Sequence, residues 1–287
     1  MIKTKSTILI AFSIFILLLP HTPHAASNEP FPTGCSMATF GTILQGNRMS
    51  GRQPWTPACF VDDTAMFSLA SSYVNYYDAM DNLQESDFRQ ASVGGWVNLK
   101  NFSLKASGIF FSALGIYYEH NGFVSIGTSA IPYVNLSVEL AAMKAGLYDD
   151  ANEHETLLST GASLWVPWSF ASASLSCKNI ILEDAAHRGF SRPFTINLGL
   201  HTMPHRLGAQ GILLTITPEH TPEIRLCIGE EFYIYRTIGL SFAVSTRPLM
   251  VGFGVSFGMP SYGLYTAFVN HPVLGWSQGM GMEYVKR

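Results

Sequence analysis

Bulky apolar residues alternate with small or polar residues along the last third of the chain. In the segment Leu249–Gly258 the odd positions are Leu, Val, Phe, Val and Phe, and from Gly252 onward the even positions are Gly or Ser. Successive side chains of a β-strand point to opposite faces. The segment therefore predicts a strand with one apolar face and one nearly bare face.

The same alternation recurs every ten to fifteen residues from Ala91 onward, which predicts fourteen strands, or ten to twelve if doubtful neighbours merge. Asn121-Gly122 has the composition of a two-residue hairpin turn, and turns also fit Pro260-Ser261 and Asn270–Pro272. The polar stretches Tyr148–His154 and Glu183–Arg192 predict longer loops on one rim. The candidate strands are Ala91–Leu99, Phe102–Ser107, Ile109–Glu119, Phe123–Ser129, Tyr133–Leu147, Glu155–Val166, Phe170–Lys178, Pro193–His201, Leu207–Thr217, Glu223–Glu230, Thr237–Ser245, Leu249–Phe257, Tyr262–Asn270 and Trp276–Val285.

Charged and polar side chains fall on the small-residue face of these strands. Ile224, Leu226 and Ile228, for example, share the face opposite Glu223 and Arg225. The inner side of a closed barrel is the place for such residues if the apolar side meets lipid. The resulting candidates for the lumen are Lys178, Asn197, His201, Glu223, Arg225 and Glu283.

Composition indicates which solvent the apolar face meets. Only 13% of the residues are charged, against roughly 25% in an ordinary soluble domain. A sheet in water would carry Lys and Glu on its exposed face. The pattern therefore predicts an all-β, antiparallel transmembrane β-barrel with its apolar side toward lipid. The alternative is a secreted soluble β-barrel that binds an apolar ligand in an apolar interior.

The first 26 residues are typical of an export signal. Lys3 and Lys5 precede the apolar run Thr7–Leu19, which Pro20 ends before the small residues Ala25 and Ala26. Removal of the signal takes away two lysines and no acids, so the charge becomes 15 − 20 = −5. A negative balance argues against nucleic acid as a partner. Outer-membrane lipid is the expected partner, with a small hydrophobic ligand or other envelope proteins beside it.

Residues 27–90 differ in composition from the later residues and predict a plug or periplasmic segment ahead of a barrel formed by residues 91–287. Asp62 and Asp63 suit the start of a helix over Thr64–Asn82, where apolar residues recur at helical spacing. A short helix feeding a strand fits the segment equally well. Cys35 and Cys59 lie in one loop-rich stretch and could form a disulfide, whereas Cys177 and Cys227 are expected to be unpaired.

The sequence gives little indication of catalysis, and no enzyme, cofactor or metal is expected. His201 and His205 are four residues apart, but Pro204 between them disrupts the helix that a metal pair would need. The segment Gly161–Trp165 departs from the nucleophile-elbow pattern at its last position. Four tryptophans near strand ends are expected at the water–lipid boundary, namely Trp96, Trp165, Trp168 and Trp276.

Two stretches resemble FadL-like and PorV-like outer-membrane barrels. Residues 62–67 resemble the Asp-Asp-x-x-Ala element found near the start of these barrels, although Ser68–Ala70 replaces the Asn-Pro-Ala that usually comes next. Residues 223–287 resemble the closing strands of PorV-like proteins. The resemblance implies a fourteen-stranded barrel whose N-terminal segment plugs or lines the lumen.

The function expected on these grounds is non-enzymatic. FadL-like members pass hydrophobic compounds across the outer membrane, and PorV-like members are shuttle or attachment components of a secretion system. The resemblance therefore implies a protein of the bacterial outer membrane that passes or holds small hydrophobic molecules, or that is a component of an outer-membrane complex.

Overall fold

The computed structural model describes residues 67–76, 88–99, 101–131, 134–147, 154–184, 193–202, 208–218, 222–235, 237–272 and 275–286. The predicted signal peptide, the proposed Cys35–Cys59 disulfide and the Asp62-Asp63 motif lie outside these residues.

The described residues form fourteen antiparallel strands that close into one barrel, in which each strand pairs with its neighbours in sequence. β1 pairs with β14, with Phe67 opposite Lys286 and Asn75 opposite Gln278, so neither strand is left as an open edge. The predicted all-β antiparallel barrel with fourteen strands is confirmed. The strands are β1 Phe67–Asn75, β2 Phe88–Leu99, β3 Phe102–Ala113, β4 Tyr117–Ile131, β5 Val134–Leu147, β6 His154–Pro167, β7 Ala171–Asp184, β8 Thr195–Thr202, β9 Gly208–Thr217, β10 Glu223–Tyr235, β11 Ile238–Thr246, β12 Leu249–Gly258, β13 Tyr262–His271 and β14 Gly275–Lys286.

The predicted strand count is right although two individual assignments are wrong. A continuous helix over Thr64–Asn82 is wrong where the structure describes it, because Phe67–Asn75 is strand β1, whereas the alternative of a short helix feeding a strand is right in its strand. The barrel therefore begins inside the segment predicted as the plug. Three predicted strands between Phe102 and Ser129 are in fact two, β3 and β4. Strand β1 was missed and one strand too many was predicted between Phe102 and Ser129, so the total did not change.

The Asn121-Gly122 hairpin turn is also wrong. Both residues lie within β4, where Gly122 is opposite Gly108 of β3. The turn falls at Leu114-Gly115, both with positive φ, and the Ile116 N–H donates to the Ala113 carbonyl at 3.0 Å. With the turn at Leu114-Gly115, a second turn at Asn121 would leave only residues 117–120 between the two, too few to cross a bilayer, which needs ~9–11 residues.

The two rims of the barrel differ in their connections. We call the rim at which β1 begins and β14 ends the terminal rim, and the opposite one the distal rim. Connections at the terminal rim have two to five residues, whereas those at the distal rim reach twelve between β1 and β2 and ten between β7 and β8. Both predicted long loops lie in connections of the distal rim. Short turns on one side and longer loops on the other are typical of outer-membrane barrels.

The two faces of the wall have opposite chemistry. Large apolar side chains are exposed on the outer face, including Leu69, Val93, Ile126 and Leu264, each more than half exposed. The inner face buries polar side chains instead, among them Ser92, Ser125 and Ser241. This is the reverse of a soluble domain, in which apolar residues are buried. The structure therefore supports the transmembrane barrel and not the soluble barrel with an apolar interior.

Aromatic side chains gather on the outer face at both rims. At the terminal rim the Tyr284 ring lies 5.8 Å from Phe67 and 5.1 Å from Tyr262. Trp276 lies at the distal rim and meets Phe253 at 5.8 Å, and Phe253, in the middle of β12, stacks on Phe268 at 5.0 Å. Aromatic girdles at the two interfaces are a property of transmembrane barrels.

Candidate functional site: the barrel lumen

One polar row crosses five strands on the inner face. Ser163 of β6, Ser176 of β7, Asn197 of β8, Thr215 of β9 and Arg225 of β10 are successive register partners. Asn197 forms hydrogen bonds with both of its neighbours in the row. Its Nδ2 donates to Ser176 Oγ at 3.3 Å, and its Oδ1 accepts from Thr215 Oγ1 at 2.8 Å. Asn197 and Arg225, both predicted for the lumen, thus lie two strands apart in the same row.

The other predicted lumen residues are spread around this row. Lys178 is opposite the buried Thr195 of β8, two register pairs nearer the distal rim than Ser176. Glu223 is the first residue of β10 and lies at the distal rim. Glu283 is buried on β14, far around the barrel, where it accepts a hydrogen bond from Ser68 of β1 at 2.7 Å. The six predicted residues therefore do not form one cluster.

His201 is buried near the terminal rim and contacts a serine of the neighbouring strand. Its Nε2 lies 3.1 Å from Ser174 Oγ. Gly199, directly opposite Ser174, makes room for this contact, because a Cβ at Gly199 would collide with both side chains. The pair has the composition of a nucleophile and base. However, the backbone N–H groups of β7 and β8 beside it take part in the strand ladder.

Four further ionisable groups on the inner face were missed from the sequence. Lys105 on β3 is 1% exposed and Glu231 on β10 is 6% exposed. Glu119 on β4 accepts from Asn121 Nδ2 at 2.7 Å, and Glu231 accepts from the Tyr233 hydroxyl at 3.0 Å. Glu139 lies between the outward Val138 and Leu140. Alternation would have placed Lys105, Glu119 and Glu139 inside, whereas Glu231 came just after the end of the predicted strand.

An apolar cluster lines the lumen at the distal rim. It comes from the distal parts of β12 and β13 and, beyond the intervening β14, of β1, β2 and β3, which places it on one side of the mouth. Tyr76 anchors it, since its hydroxyl donates to Gln90 Oε1 at 2.9 Å and its ring lies 6.1 Å from Phe111. We call it the distal apolar cluster; its members are Val74, Tyr76, Met250, Ala267 and Val269, with Phe88 and Phe111 packed against them.

A smaller apolar contact lies at the other end of the same wall. Trp96 of β2 and Val285 of β14 are buried against each other, both in register with Ser68 of β1. The Trp96 indole nitrogen has no hydrogen-bond partner among the described residues. Between this pair and the distal apolar cluster, the inner wall carries small groups such as Ser72, Ser92 and Gly281. Apolar side chains are therefore buried on the inner side of the wall near both rims.

The predicted position of four tryptophans at the water–lipid boundary is only partly right. Trp276 is outward and exposed at the distal rim, and Trp168 is exposed in the β6–β7 turn. Trp96 and Trp165 are buried on the inner face, so their placement at the water–lipid boundary is wrong. Proximity to a strand end fixes the height of a side chain in the membrane, and only its position in the alternation fixes the face.

The described part of the chain holds neither a metal cluster nor a disulfide. Within the described ranges, no group of three or more His, Cys, Asp or Glu side chains could hold a metal ion. Cys177 and Cys227 form no disulfide, which agrees with the expectation for that pair. No helix in that part of the chain is long and apolar enough to cross a membrane.

Comparison with known proteins identifies the fold. No protein-family model and no curated protein matches the chain. Among solved structures, a FadL homologue of Pseudomonas aeruginosa aligns over 91% of this chain and 99% of its own, with a TM-score of 0.64 and 11% identity. The Pseudomonas putida toluene transporter TodX aligns over 91% of this chain and 100% of its own, with a TM-score of 0.62 and 10% identity.

A third structure is more distant. The outer membrane protein Omp33 of Acinetobacter baumannii aligns over 77% of this chain and 98% of its own, with a TM-score of 0.50 and 7% identity. At such identities the likeness shows the fold alone. The fold is that of FadL-like outer-membrane β-barrels. The predicted resemblance is thus confirmed on its FadL side, whereas its PorV side and the role in a secretion complex have no support among these structures.

Proposed function

We propose that this protein is a non-catalytic barrel of the bacterial outer membrane, in which the lumen passes or holds small hydrophobic molecules. The distal apolar cluster carries the proposal. Side chains on the inner wall of a membrane barrel have no lipid to contact, so apolar residues there are not required by the bilayer. Their concentration at the distal mouth gives a hydrophobic molecule apolar contacts at the partly buried Phe88 and Phe111, which are backed by five members that are at most 5% exposed.

The polar part of the lumen supports the same function. Beyond the mouth, the inner wall of β14, β1 and β2 is lined by Ser72, Ser92 and Gly281, which offer no large apolar surface. A molecule bound at the mouth would not be held along this stretch, and it would meet apolar groups again at Trp96 and Val285. Transport requires sites that bind well enough to admit a molecule and weakly enough to release it.

The likeness to solved structures supports a neutral, compact substrate. TodX is described as a toluene transporter, and the aromatic and aliphatic side chains of the distal apolar cluster suit a molecule of that kind. Aromatic hydrocarbons bind through burial of apolar area, worth about 25 cal/mol per Å². Toluene is therefore the probe of choice, and other small apolar compounds remain within the proposal.

The test compares two double variants that make the same chemical changes on opposite faces. Met250→Gln with Val269→Thr places polar groups in the distal apolar cluster, and Met280→Gln with Val251→Thr places them on the outer face. Binding of radiolabelled toluene to purified protein in detergent should weaken about tenfold for the inner pair, equivalent to about 1.4 kcal/mol. The outer pair should bind as the unmodified protein does. Equal binding by both pairs, or toluene retention no greater than that of empty micelles, would contradict the proposal.

A further inference from the structure

The outer wall carries a group of basic side chains at the distal rim. Arg89 of β2, His120 of β4 and Lys144 of β5 are all exposed and face outward. Each lies within about three residues of the end of its strand at that rim. We call these three residues the basic rim patch.

The register places the members of the patch close to one another. His120 is directly opposite Lys144 across the β4–β5 ladder. Arg89 is opposite Ser112, which is opposite Tyr118, two residues before His120 on the same face. Neighbouring strands are about 4.8 Å apart and each residue rises ~3.3 Å, so Arg89 and Lys144 are separated by roughly 14 Å across the strands and roughly 7 Å along them. A headgroup with more than one anionic group could contact both.

The His120 ring is held on the outer wall by two aromatic neighbours. Its centroid lies 5.4 Å from the Phe110 ring and 5.1 Å from the Tyr118 ring. The patch is therefore a mixed surface in which cationic side chains alternate with aromatic ones. Such a surface suits the boundary between hydrocarbon and headgroups.

The outer wall between the basic rim patch and the terminal rim is apolar. On β5 the outward residues between Val134 and Ala142 carry no charge, and Leu136, Val138 and Leu140 among them are exposed. Ten residues of strand at ~3.3 Å rise and ~40° tilt span about 25 Å, which is the height of the apolar band of such barrels. The basic rim patch thus lies at one edge of the hydrocarbon layer, at the level of the headgroups.

Among the described outward side chains nearer the terminal rim, Lys286 is basic, whereas Glu230 is acidic and accepts a hydrogen bond from Gln210 at 2.7 Å. Within the described residues, the basic rim patch is thus the larger group of outward basic side chains.

We propose that the basic rim patch binds the phosphate groups of a phosphorylated glycolipid in the outer leaflet of the membrane. Arg and Lys are the side chains that bind phosphate by charge-assisted hydrogen bonds. Long cationic side chains at the edge of the apolar band extend toward the headgroups while their stems stay on the wall. The acyl chains of the same lipid would lie on the apolar wall of β4 and β5. This site is independent of transport through the lumen.

The experiment measures binding of purified lipopolysaccharide to the full chain in detergent by native mass spectrometry. The test variant is Arg89→Gln with Lys144→Gln, and its matched control is Lys286→Gln at the terminal rim. The test variant should bind about tenfold more weakly, while the control and the charge-preserving variant Arg89→Lys with Lys144→Arg should bind as the unmodified protein does. Heat-modifiable gel migration establishes that each variant is folded, and Lys144→Gln alone should show a smaller loss in the same direction.

Two further binding measurements identify which chemical group of the lipid the patch recognises. Lipopolysaccharide stripped of its phosphates should bind the unmodified protein as weakly as the intact lipid binds the test variant. Inorganic phosphate at matched phosphate concentration should leave the bound lipid in place. The proposal is overturned if the test variant or the stripped lipid binds at full strength, or if inorganic phosphate alone displaces the lipid.

Discussion

Ser68 of β1 donates a hydrogen bond of 2.7 Å to Glu283 of β14 inside the lumen, although 215 positions separate the two residues in the sequence. The bond crosses the seam at which the first and last strands close the barrel. Ser68 is 1% exposed and Glu283 is 4% exposed. A buried hydroxyl and a buried carboxylate both need partners, so the seam is specified by side chains as well as by the backbone ladder.

The seam predicts a difference between two substitutions of Glu283. Glu283→Ala leaves the Ser68 hydroxyl without its acceptor, which should lower the free energy of unfolding by about 1–3 kcal/mol. Glu283→Gln keeps an acceptor oxygen and should have a smaller effect. The measurement is the temperature at which the folded, fast-migrating gel band converts to the unfolded one. Equal shifts for the two variants would show that the bond does not stabilise the seam.

Arginine on the outer face should impair assembly according to its depth. Phe253 lies in the middle of β12, whereas Val251 is the third residue from the distal end. An outward Arg costs about 2–4 kcal/mol at the bilayer midplane and about 0–1 kcal/mol near an interface. Phe253→Arg should therefore reduce the yield of folded barrel more than Val251→Arg, measured after refolding into lipid vesicles. The same yield from both would argue against the placement of the apolar band.

Two glycines of the wall should respond oppositely to alanine. A Cβ at Gly281 would collide with the Tyr265 phenol and lie 2.7 Å from the Ser71 backbone oxygen, which cannot move without disturbing the β1–β14 ladder. A Cβ at Gly122 would meet only the Ala142 oxygen at 4.0 Å. Gly281→Ala should lower the unfolding temperature.

Gly122→Ala serves as the control for that substitution. It should leave the unfolding temperature unchanged or raise it slightly, since Gly within a strand or helix is less favourable than Ala by roughly 0.5–1 kcal/mol. A Gly281→Ala barrel as stable as the Gly122→Ala barrel would mean that Tyr265 does not pack on the backbone as described.

The Ser174–His201 contact should be structural. Catalysis by such a pair needs hydrogen-bond donors for the oxyanion, and the nearby backbone N–H groups are engaged in the β7–β8 ladder. A fluorophosphonate probe should not label the purified protein at Ser174. Ser174→Ala is the control, because labelling that disappears in this variant would reveal a reactive serine and contradict the non-catalytic function.

Two errors of the sequence analysis each have an identifiable physical origin. Leu69 and Tyr73 are four residues apart, which places them on one face of a helix and also on one face of a strand, because four is an even number. The apolar spacing over Thr64–Asn82 could not distinguish the two structures. Asn121-Gly122 has the composition of a turn, but the need for a strand long enough to cross the bilayer overrides that local preference.

The alternation of side chains by itself determined the class of wall, its two faces and nearly all of the strands, because each face of a strand must match the solvent that it meets. The same rule assigned Glu283 and Arg225 to the inner face from the sequence. Only the tertiary structure decided which inner residues meet. The Ser68–Glu283 bond, the Asn197–Thr215 row and the distal apolar cluster depend on the register between strands and on closure of the barrel, which no local pattern encodes.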